Sequence, residues 1–346
     1  MSRRRLESAI QAGKAIDEGK SWPDKFEKVQ EINQIKILDE KQGVFSLQFS
    51  YDGELLAIGY GNGAVELRNP LTGELVKELR KSRYGGYQVM CIRFNPKNPD
   101  LFFATTSEGM VYSCNIKDGS CQEIINEKGN EINCLDFSLD GFDFATAGKD
   151  LAVRLYDTKT LQMTKTYEGY NAKTVPDEVQ SSANAMRVFA LKYHPMNDDI
   201  FVTGGWENHL KIWDSRSNDG VKRVIFGPHI CGDSLDLKGY EILTGSWVGH
   251  NALQLWGYTE GKLQKNVPFP SSATGEFLYC AQFCDNNVVL AGGSGTNSVQ
   301  AVNTETGECL GGIGMEHPVI ALDSTKGGRL FALAGTDRVI KIGAIC

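Results

Sequence analysis

The sequence of 346 residues has no long apolar run, no secretory signal and no disulfide-dense cysteine pattern. A membrane span needs roughly 18 consecutive apolar residues, and no segment approaches that length, so no membrane partner is expected. The basic first residues, 1–5, are not followed by the apolar stretch of a signal peptide. The nine cysteines are odd in number and scattered, which favours reduced thiols and a cytoplasmic location.

A strong excess of charge of either sign is also missing. The chain has 36 basic and 43 acidic residues and a formal net charge of −7, which argues against a broad nucleic-acid or anionic-membrane surface. Glycine, in contrast, is abundant, because 38 residues exceed the usual share of about 7%. Excess glycine without excess proline predicts many tight turns between short strands.

A repeated strand pattern organises the chain. Segments close to the form apolar-x-small-apolar-x-aromatic occur at Val44–Phe49, Val89–Phe94, Ile132–Phe137, Val188–Tyr193, Leu278–Phe283 and Val319–Ser324. A later alternating strand in each repeat contains one anchor residue, and the anchors recur every 41 to 57 residues at Leu67, Ser113, Leu155, Ile212, Leu255, Ala301 and Ile342. This spacing matches the four-stranded blade of a propeller.

Two motifs carry a family resemblance. Trp213-Asp214 closes one of the alternating strands, and Phe-Ser-x-Asp-Gly turns follow two of the first strands. In both features the chain resembles the WD-repeat family of β-propellers. The resemblance implies an all-β, seven-bladed WD-repeat β-propeller, which we assign to residues 31–346.

The resemblance is incomplete inside the blades. Only one repeat keeps Trp-Asp, and the Gly-His pair that this family has before the first strand is missing, with His317 as its nearest remnant. The aspartate between the second and third strands survives as Asp150 and Asp337, while Glu108 and Glu207 are close substitutes. The family's His–Ser/Thr–Asp–Trp hydrogen-bond network is therefore expected to be incomplete, and packing is expected to hold the blades.

Three segments outside the repeats have predicted roles. Near-helical spacing predicts a short helical tail within residues 1–30, and the apolar stripe that carries it is Leu6, Ile10 and Ile16. Extra chain at 168–186 predicts an excursion between blades that is either mobile or used for contact. Segment 34–38 alternates like a strand. Since the sequence ends just after the third strand of the seventh repeat, we expect this segment to close the ring as the missing outer strand.

Residues suited to catalysis or metal binding form no convincing pattern. The five histidines lack metal-like spacing, and Cys280-x₃-Cys284 is the one tempting cluster. Cys280 shares its strand register with Cys91 and Cys134, which favours small buried residues over a zinc site. No phosphate loop or nucleophile elbow occurs in a suitable context. We therefore expect no metal, no cofactor and no enzymatic activity.

A pair of tryptophans indicates where a partner binds. Trp206 and Trp247 follow the small residues that close the second strand in neighbouring repeats. By resemblance, this turn lies on the top face, where related proteins bind ligands. Lys149 occupies the same register and Arg187 enters the next first strand, so these four residues predict a site for an acidic or carboxylate-bearing protein or peptide. The alternative is that both indoles fold inward over the channel.

A second motif indicates a different interaction. In the WD-repeat family, Trp-Asp-x-Arg often marks docking onto a cullin-type ubiquitin-ligase adaptor, and Trp213-Asp214-Ser215-Arg216 fits that pattern. The alternative is that Trp213 and Asp214 are the repeat's structural signature and that Arg216 is a solvated turn residue.

These features predict a non-catalytic protein-interaction scaffold within a multiprotein complex, such as a cytoskeletal or ciliary assembly. The expected partner is a protein or peptide and not a nucleic acid. A substrate receptor of a cullin-type ubiquitin ligase is one alternative. A propeller enzyme or small-molecule sensor that uses the central channel is an alternative of another class, because the sequence does not reveal how channel carboxylates are arranged.

Overall fold

Seven antiparallel sheets of four strands make up the computed structural model, which describes residues 26–83, 85–169 and 184–346. The strands in chain order are β1 (Val29–Lys36), β2 (Val44–Phe49), β3 (Leu56–Tyr60), β4 (Val65–Arg68), β5 (Leu75–Arg80), β6 (Val89–Asn95), β7 (Asn98–Thr106), β8 (Met110–Asn115), β9 (Cys121–Asn126), β10 (Ile132–Phe137), β11 (Asp143–Gly148), β12 (Val153–Asp157), β13 (Met163–Tyr167), β14 (Val188–His194), β15 (Asn197–Gly205), β16 (His209–Asp214), β17 (Val221–Phe226), β18 (Leu235–Lys238), β19 (Glu241–Gly245), β20 (Leu253–Gly257), β21 (Leu263–Asn266), β22 (Leu278–Phe283), β23 (Val288–Gly293), β24 (Ser298–Asn303), β25 (Cys309–Gly314), β26 (Val319–Ser324), β27 (Leu330–Gly335) and β28 (Val339–Ile345). A 3₁₀ turn at Asp39–Lys41 is the only helical element in these ranges. Within the same ranges, no helix has the length and hydropathy of a membrane span.

Each sheet is one blade of a closed ring. Blades 1 to 6 take four consecutive strands each, starting at β2, and blade 7 has the strand order β26-β27-β28-β1. The first strands of successive blades contact one another around the whole ring, including β26 with β2. The prediction of an all-β, seven-bladed propeller is therefore confirmed. The predicted tail helix with Leu6, Ile10 and Ile16 lies outside the described residues, as does most of the predicted excursion at 168–186.

Strand periodicity explains how the blades pack. All seven anchor residues lie in third strands, and all except Ser113 are buried. Apolar side chains of one sheet face those of the next, as where Leu47 and Ile58 of blade 1 pack with Ile340 and Ala332 of blade 7. Burial of these faces provides the main driving force for assembling the ring.

Blade 5 departs from the repeated pattern. Its first strand, β18, has only four residues. The positions at which the other repeats begin the first-strand pattern with an apolar residue are occupied here by Gly232 and Asp233, which precede the strand. The repeat search therefore does not reveal this strand, although the third strand of the same blade is clear.

The strand that closes the ring begins earlier than predicted. β1 pairs antiparallel with β28, and Ile35 lies opposite Ile340. Only the first three residues of the predicted segment 34–38 belong to β1, and the predicted end of the tail at residue 30 falls inside this strand. A register shift between Glu31 and Asn33 interrupts the period-2 alternation, so the sequence pattern reveals only the end of the strand.

Buried glutamates form ion pairs inside three blades, in which the family network is incomplete. In blade 1, the Glu66 carboxylate accepts a hydrogen bond from the Tyr60 hydroxyl at 2.8 Å and pairs with Lys41 at 2.7 Å and Arg68 at 2.9 Å. Burial acts to raise the pKa of Glu66, but the hydrogen bonds from Lys41 and Tyr60 outweigh it and lower that pKa. The carboxylate is therefore satisfied inside the blade rather than left as an isolated charge.

Blades 3 and 4 use the same arrangement. Glu127 pairs with Arg154 at 3.0 Å and accepts a hydrogen bond from the Tyr156 hydroxyl at 3.0 Å. Glu207 pairs with the buried Lys211 at 2.7 Å. Packing holds the blades as expected, and buried glutamates with tyrosine, arginine or lysine partners add a bracing that the sequence analysis did not predict.

Polar side chains also connect the first strand of one blade to the next. In four blades, the second-to-last residue of the first-strand pattern has a side-chain oxygen that accepts a hydrogen bond from a backbone N–H of the following blade. These inter-blade bonds run from Phe94 to Gln48 at 2.7 Å, and from Tyr193 to Asp136, Phe283 to Asp236 and Phe49 to Asp323 at 2.8 Å each. They satisfy backbone donors at the inner edge of the ring, where an unpaired N–H would be costly.

Asp323 is held in an unusual protonation state by its position. Burial raises its pKa to about 6 from the ordinary value of 3.8, although the N–H of Phe49 and the charges of Arg93 and Lys192 act in the opposite direction. Its second oxygen accepts a hydrogen bond from the Gln282 amide at 3.1 Å. The folded protein therefore keeps this carboxyl protonated at pH values where the unfolded chain ionises it.

Replacing Asp323 by Asn is expected to stabilise the protein at neutral pH. Because the folded pKa exceeds the unfolded one, the wild-type protein loses stability as the pH rises from about 4 through about 6. The variant stays neutral, so its advantage should grow across this window to about 2–3 kcal/mol at pH 7. The Asn amide can accept from Phe49 and donate to the Gln282 Oε1 atom, which has no hydrogen-bond partner among the described residues.

Urea unfolding of both proteins between pH 4 and 7.5 measures this difference. Asp219→Asn, at an exposed turn, is the matched control and should show no such growth with pH. A difference between Asp323→Asn and wild type that does not change over the window would show that the carboxyl is ionised in the folded ring.

Ring closure is expected to depend on the buried side of β1. Ile35 is only 2% exposed and packs among buried residues of blades 1 and 7. Ile35→Ala should therefore lower the free energy of unfolding by about 2–5 kcal/mol. Lys36→Ala, on the exposed side of the same strand, should change it by less than about 0.5 kcal/mol. Equal effects of the two changes on the urea midpoint would contradict closure by this strand.

Candidate functional site

The turns between second and third strands lie on one face of the ring, which we call the top face, and they carry both predicted tryptophans. Trp206 follows β15 directly, and Trp247 lies two residues beyond β19 in the next blade. The N–H of Trp206 donates to the Arg187 carbonyl at 3.2 Å, and that of Trp247 donates to the His229 carbonyl at 2.8 Å. Each turn is thereby fixed to the chain that leads into the first strand of its own blade.

The Trp206 side chain lies between the channel and solvent. Its ring centroid is 5.3 Å from that of Phe189, and the Arg187 guanidinium carbon lies 5.8 Å from the indole centroid. The indole N–H donates to the Cys231 Sγ atom at 3.2 Å. These contacts orient the ring, yet 40% of Trp206 remains exposed.

Trp247 has a matching environment one blade further on. Its ring centroid lies 5.0 Å from Phe277, and its indole N–H donates to the Tyr279 hydroxyl at 2.9 Å. The residue is 41% exposed. Both indoles are therefore fixed at the rim of the channel with a substantial part of their surface open, rather than folded inward as core residues.

Glu131 connects the two predicted cations. Arg187 Nη1 lies 2.8 Å from Glu131 Oε2, and Lys149 pairs with the other oxygen of the same carboxylate. The hydrogen bond from Lys149, together with the charge of Arg187, lowers the pKa of Glu131. Lys149, Arg187 and Glu131 together therefore have a net charge of +1.

The structure brings the four predicted residues onto one surface. Lys149 and Arg187 share Glu131, and Arg187 contacts Trp206, as described above. Trp247 joins them through segment 229–231, because Cys231 contacts Trp206 and the His229 ring centroid lies 6.5 Å from that of Trp247. Their role in binding a partner stays a prediction.

The mouth of the channel continues this surface. Six residues that share one position near the start of the first strands line the mouth: Phe45, Met90, Asn133, Phe189, Tyr279 and Ile320. The cavity they enclose has a volume of about 90 Å³, with Arg93 and Asp233 paired at 2.6 Å on its wall. Sequence reasoning missed these residues, although their shared register is a signal that could have found them.

The Trp-Asp-x-Arg motif lies at the other end of β16, on the face opposite the tryptophans. Trp213 is fully buried and its indole N–H donates to the Thr203 hydroxyl at 2.8 Å. Arg216 is 64% exposed and makes two bonds of 2.9 Å to Asp214, which lower the pKa of that carboxyl. Trp213 therefore has the structural role of the repeat signature, while Arg216 is accessible.

Two groups bear on metal binding. Cys280 and Cys284 are buried, and burial raises the pKa of both thiols, so neither is a ready metal ligand. Glu316, His317 and Asp337 have possible ligand atoms within 4.8 Å of one another. Both carboxylate oxygens of Asp337 already have a partner. One accepts a hydrogen bond from the His317 ring at 2.6 Å, and the other accepts one from the backbone N–H of His317 at 3.2 Å.

Comparison with known proteins identifies the repeats. The family model described as "WD domain, G-beta repeat" matches residues 119–157 and 179–214. The model described as "Anaphase-promoting complex subunit 4 WD40 domain" matches residues 25–97. The first model covers mainly blades 3 and 4, and the second covers β1, blade 1 and the first strand of blade 2.

Three curated relatives extend the similarity over most of the chain. WD repeat-containing protein slp1 of Schizosaccharomyces pombe is 23% identical over 269 residues, which are 77% of this chain and 51% of the relative. Transducin beta-like protein 3 of Bos taurus is 24% identical over 312 residues, 86% of this chain and 36% of the relative. Cell division cycle 20.1, cofactor of APC complex, of Arabidopsis thaliana is 22% identical over 263 residues, which are 75% of this chain and 54% of the relative.

The chain spans between about a third and about half of the length of these relatives. The chain is therefore similar to WD-repeat proteins in sequence, and its fold is a β-propeller of seven four-stranded blades.

Proposed function

We propose that the chain is a non-catalytic scaffold that binds a protein or peptide on its top face, as one subunit of a multiprotein complex. The observation that carries this proposal is the pair of half-exposed indoles, Trp206 and Trp247, fixed at equivalent turns of neighbouring blades. Exposed tryptophan is enriched among the residues that dominate protein interfaces.

The chemistry around the indoles supports a partner segment with a carboxylate. Arg187 lies against the Trp206 ring and shares Glu131 with Lys149. An incoming carboxylate would find a surplus positive charge beside an aromatic surface, which suits bidentate pairing with the guanidinium. The apolar channel mouth next to it would take an uncharged side chain of the same segment.

The arrangement of the channel supports a non-catalytic role over an enzyme or small-molecule sensor. Asp136, Asp236 and Asp323 each accept a backbone N–H of the next blade, and Asp233 pairs with Arg93. Carboxylates engaged in this way hold the ring together. Acid–base catalysis would require a carboxyl within reach of a substrate proton.

The relatives support membership in an assembly. One is named a cofactor of the APC complex, and one matching family model is named for a subunit of the anaphase-promoting complex. We propose a cytoplasmic multiprotein complex for this chain. A complex of that kind and a cytoskeletal or ciliary assembly are the candidate settings, and identifying the captured partner separates them.

The double change Trp206→Ala, Trp247→Ala is expected to abolish partner binding. Each truncation removes an anchor of a type that typically contributes 2 kcal/mol or more, a weakening of about thirtyfold for one residue alone. Because both rings are half exposed, the melting temperature should fall by no more than about 5 °C. Quantitative mass spectrometry of pull-downs from cell extract measures the loss.

Phe142→Ala is the matched control for this experiment. Phe142 is an exposed aromatic residue in the turn between β10 and β11, away from the tryptophans, so its removal should leave the captured proteins unchanged. Retention of the same partners by the double variant, with a steep fall in melting temperature, would mean that the tryptophans are structural.

A second candidate function is docking of a cullin-type ubiquitin-ligase adaptor through Trp213, Asp214 and Arg216. The observation that favours it is the exposed Arg216 guanidinium, held in place by Asp214 on the face opposite the tryptophans. Docking there would leave the top face free for a substrate, as a receptor requires.

Arg216→Ala is expected to remove the adaptor from a pull-down if the chain is such a receptor, since the change deletes the exposed charge. Lys159→Ala is the control, because Asp157-Thr158-Lys159 occupies the corresponding turn of blade 3. Partners that depend on Trp206 should be retained by both variants. Absence of cullin components from the wild-type pull-down rules out the receptor role and leaves the scaffold proposal standing.

A further inference from the structure

Two cysteines face each other across the outer hairpin of blade 2. Cys114 lies on β8 and Cys121 on β9, and the strand register pairs them directly. Their Sγ atoms are 2.6 Å apart. The two thiols are thus already in contact within one regular hairpin.

The hydrogen-bond pattern of the hairpin fits a cross-strand link. The N–H of Asn115 donates to the Ser120 carbonyl at 2.9 Å, so the adjacent Cys114–Cys121 pair occupies the alternate, non-hydrogen-bonded position. Opposed residues at such positions have Cα atoms about 4.5 Å apart. Disulfides form at Cα separations of about 4.4–6.8 Å, so closing the link requires little movement of the backbone.

The surroundings give the two thiols different roles. Cys114 is fully buried at the position held by Trp213 in blade 4, while Cys121 is partly exposed on the outermost strand. The hydrogen bond from Cys114, assisted by the charge of Arg80, lowers the pKa of Cys121. Burial raises the pKa of Cys114. Cys121 is therefore the thiol that an oxidant reaches and reacts with first.

We propose that Cys114 and Cys121 form a redox-reactive pair, which a peroxide converts into a disulfide across the outer hairpin of blade 2. The Cys121 thiolate attacks one peroxide oxygen, breaks the O–O bond and becomes a sulfenic acid. The Cys114 sulfur then attacks the sulfenic sulfur, and water leaves. In total, two thiols and one hydrogen peroxide give one disulfide and two waters.

No other cysteines are opposed in this way in the strand registers of the described residues. Cys309 is the informative case, because it occupies the corresponding position on the outer strand of blade 6 but faces Val302. Cys91, Cys134 and Cys280 are buried opposite Thr105, Ala147 and Gly292. The reaction should therefore be specific to blade 2.

Formation of the link would tie the outermost strand of blade 2 to its neighbour. Within the part of the chain that the structure describes, β9 is an edge strand whose other side has no strand partner, and edge strands open more readily than inner ones. The oxidised protein should therefore show slower amide exchange in β9 than the reduced protein. Exchange in β25, the edge strand that carries Cys309, should not change.

Peptide mapping tests the pair directly, because Lys117 lies between the two cysteines. Trypsin releases residues 98–117 and 118–128, each with a single cysteine. The folded protein is treated with hydrogen peroxide, its remaining thiols are alkylated after unfolding, and the digest is analysed by mass spectrometry. The expected product is these two peptides joined, lighter by two hydrogens than their sum, and separated again by a reductant.

The variants make the result specific. Cys121→Ser should lose the joined peptides and Cys309→Ser should keep them, with circular dichroism confirming that both variants fold. The proposal is overturned if Cys121 is oxidised while Cys114 remains available for alkylation. It is equally overturned if neither thiol reacts under conditions that modify Cys309, or if other cysteine pairs form as readily.

Discussion

The hydrogen bonds that pass from one inner strand to the next are the constraint on which the rest of this propeller depends. A blade of four strands cannot cover its own apolar faces, so each sheet relies on both neighbours. Gln48, Asp136, Asp236 and Asp323 fix the height at which adjacent first strands meet, because each accepts a specific backbone N–H. These bonds join blade 1 to blade 2, blade 3 to blade 4, blade 5 to blade 6 and blade 7 to blade 1. Between blades 4 and 5, the contacts of Cys231 with Trp206 and of His229 with Trp247 bring the two tryptophans onto one surface.

The third strands were predictable because apolar and polar residues alternate in them, as at Val65-Glu66-Leu67 and Leu210-Lys211-Ile212, even though both polar side chains are buried. The inner strand of blade 5 was not, since Gly232 and Asp233 interrupt the apolar pattern at its start. β1 was found only at its end, because a bulge near Glu31 breaks the alternation. The bracing role of Glu66 could not be predicted, since its partner Lys41 comes from a different turn.

The candidate site was predictable where register alone decides position. Trp206 and Trp247 occupy equivalent turns, so the strand pattern was sufficient to place them side by side. Glu131 and His229 belong to the connections between blades, whose paths depend on three-dimensional contacts that the repeat does not encode. The sequence therefore placed the two tryptophans and the two cations, but not the carboxylate that Lys149 and Arg187 share.

The pairing of β1 with β28 has a consequence for biosynthesis. The two strands are separated by roughly 300 residues, which a ribosome translating about 5–20 residues per second takes about 15–60 s to add. Throughout that time, β1 has no strand to pair with, and an unpaired strand is a template for aggregation. In the finished ring β1 is paired with β28 on its inner side and is the outer edge strand of blade 7, whereas in the nascent chain neither side is paired until the last blade emerges.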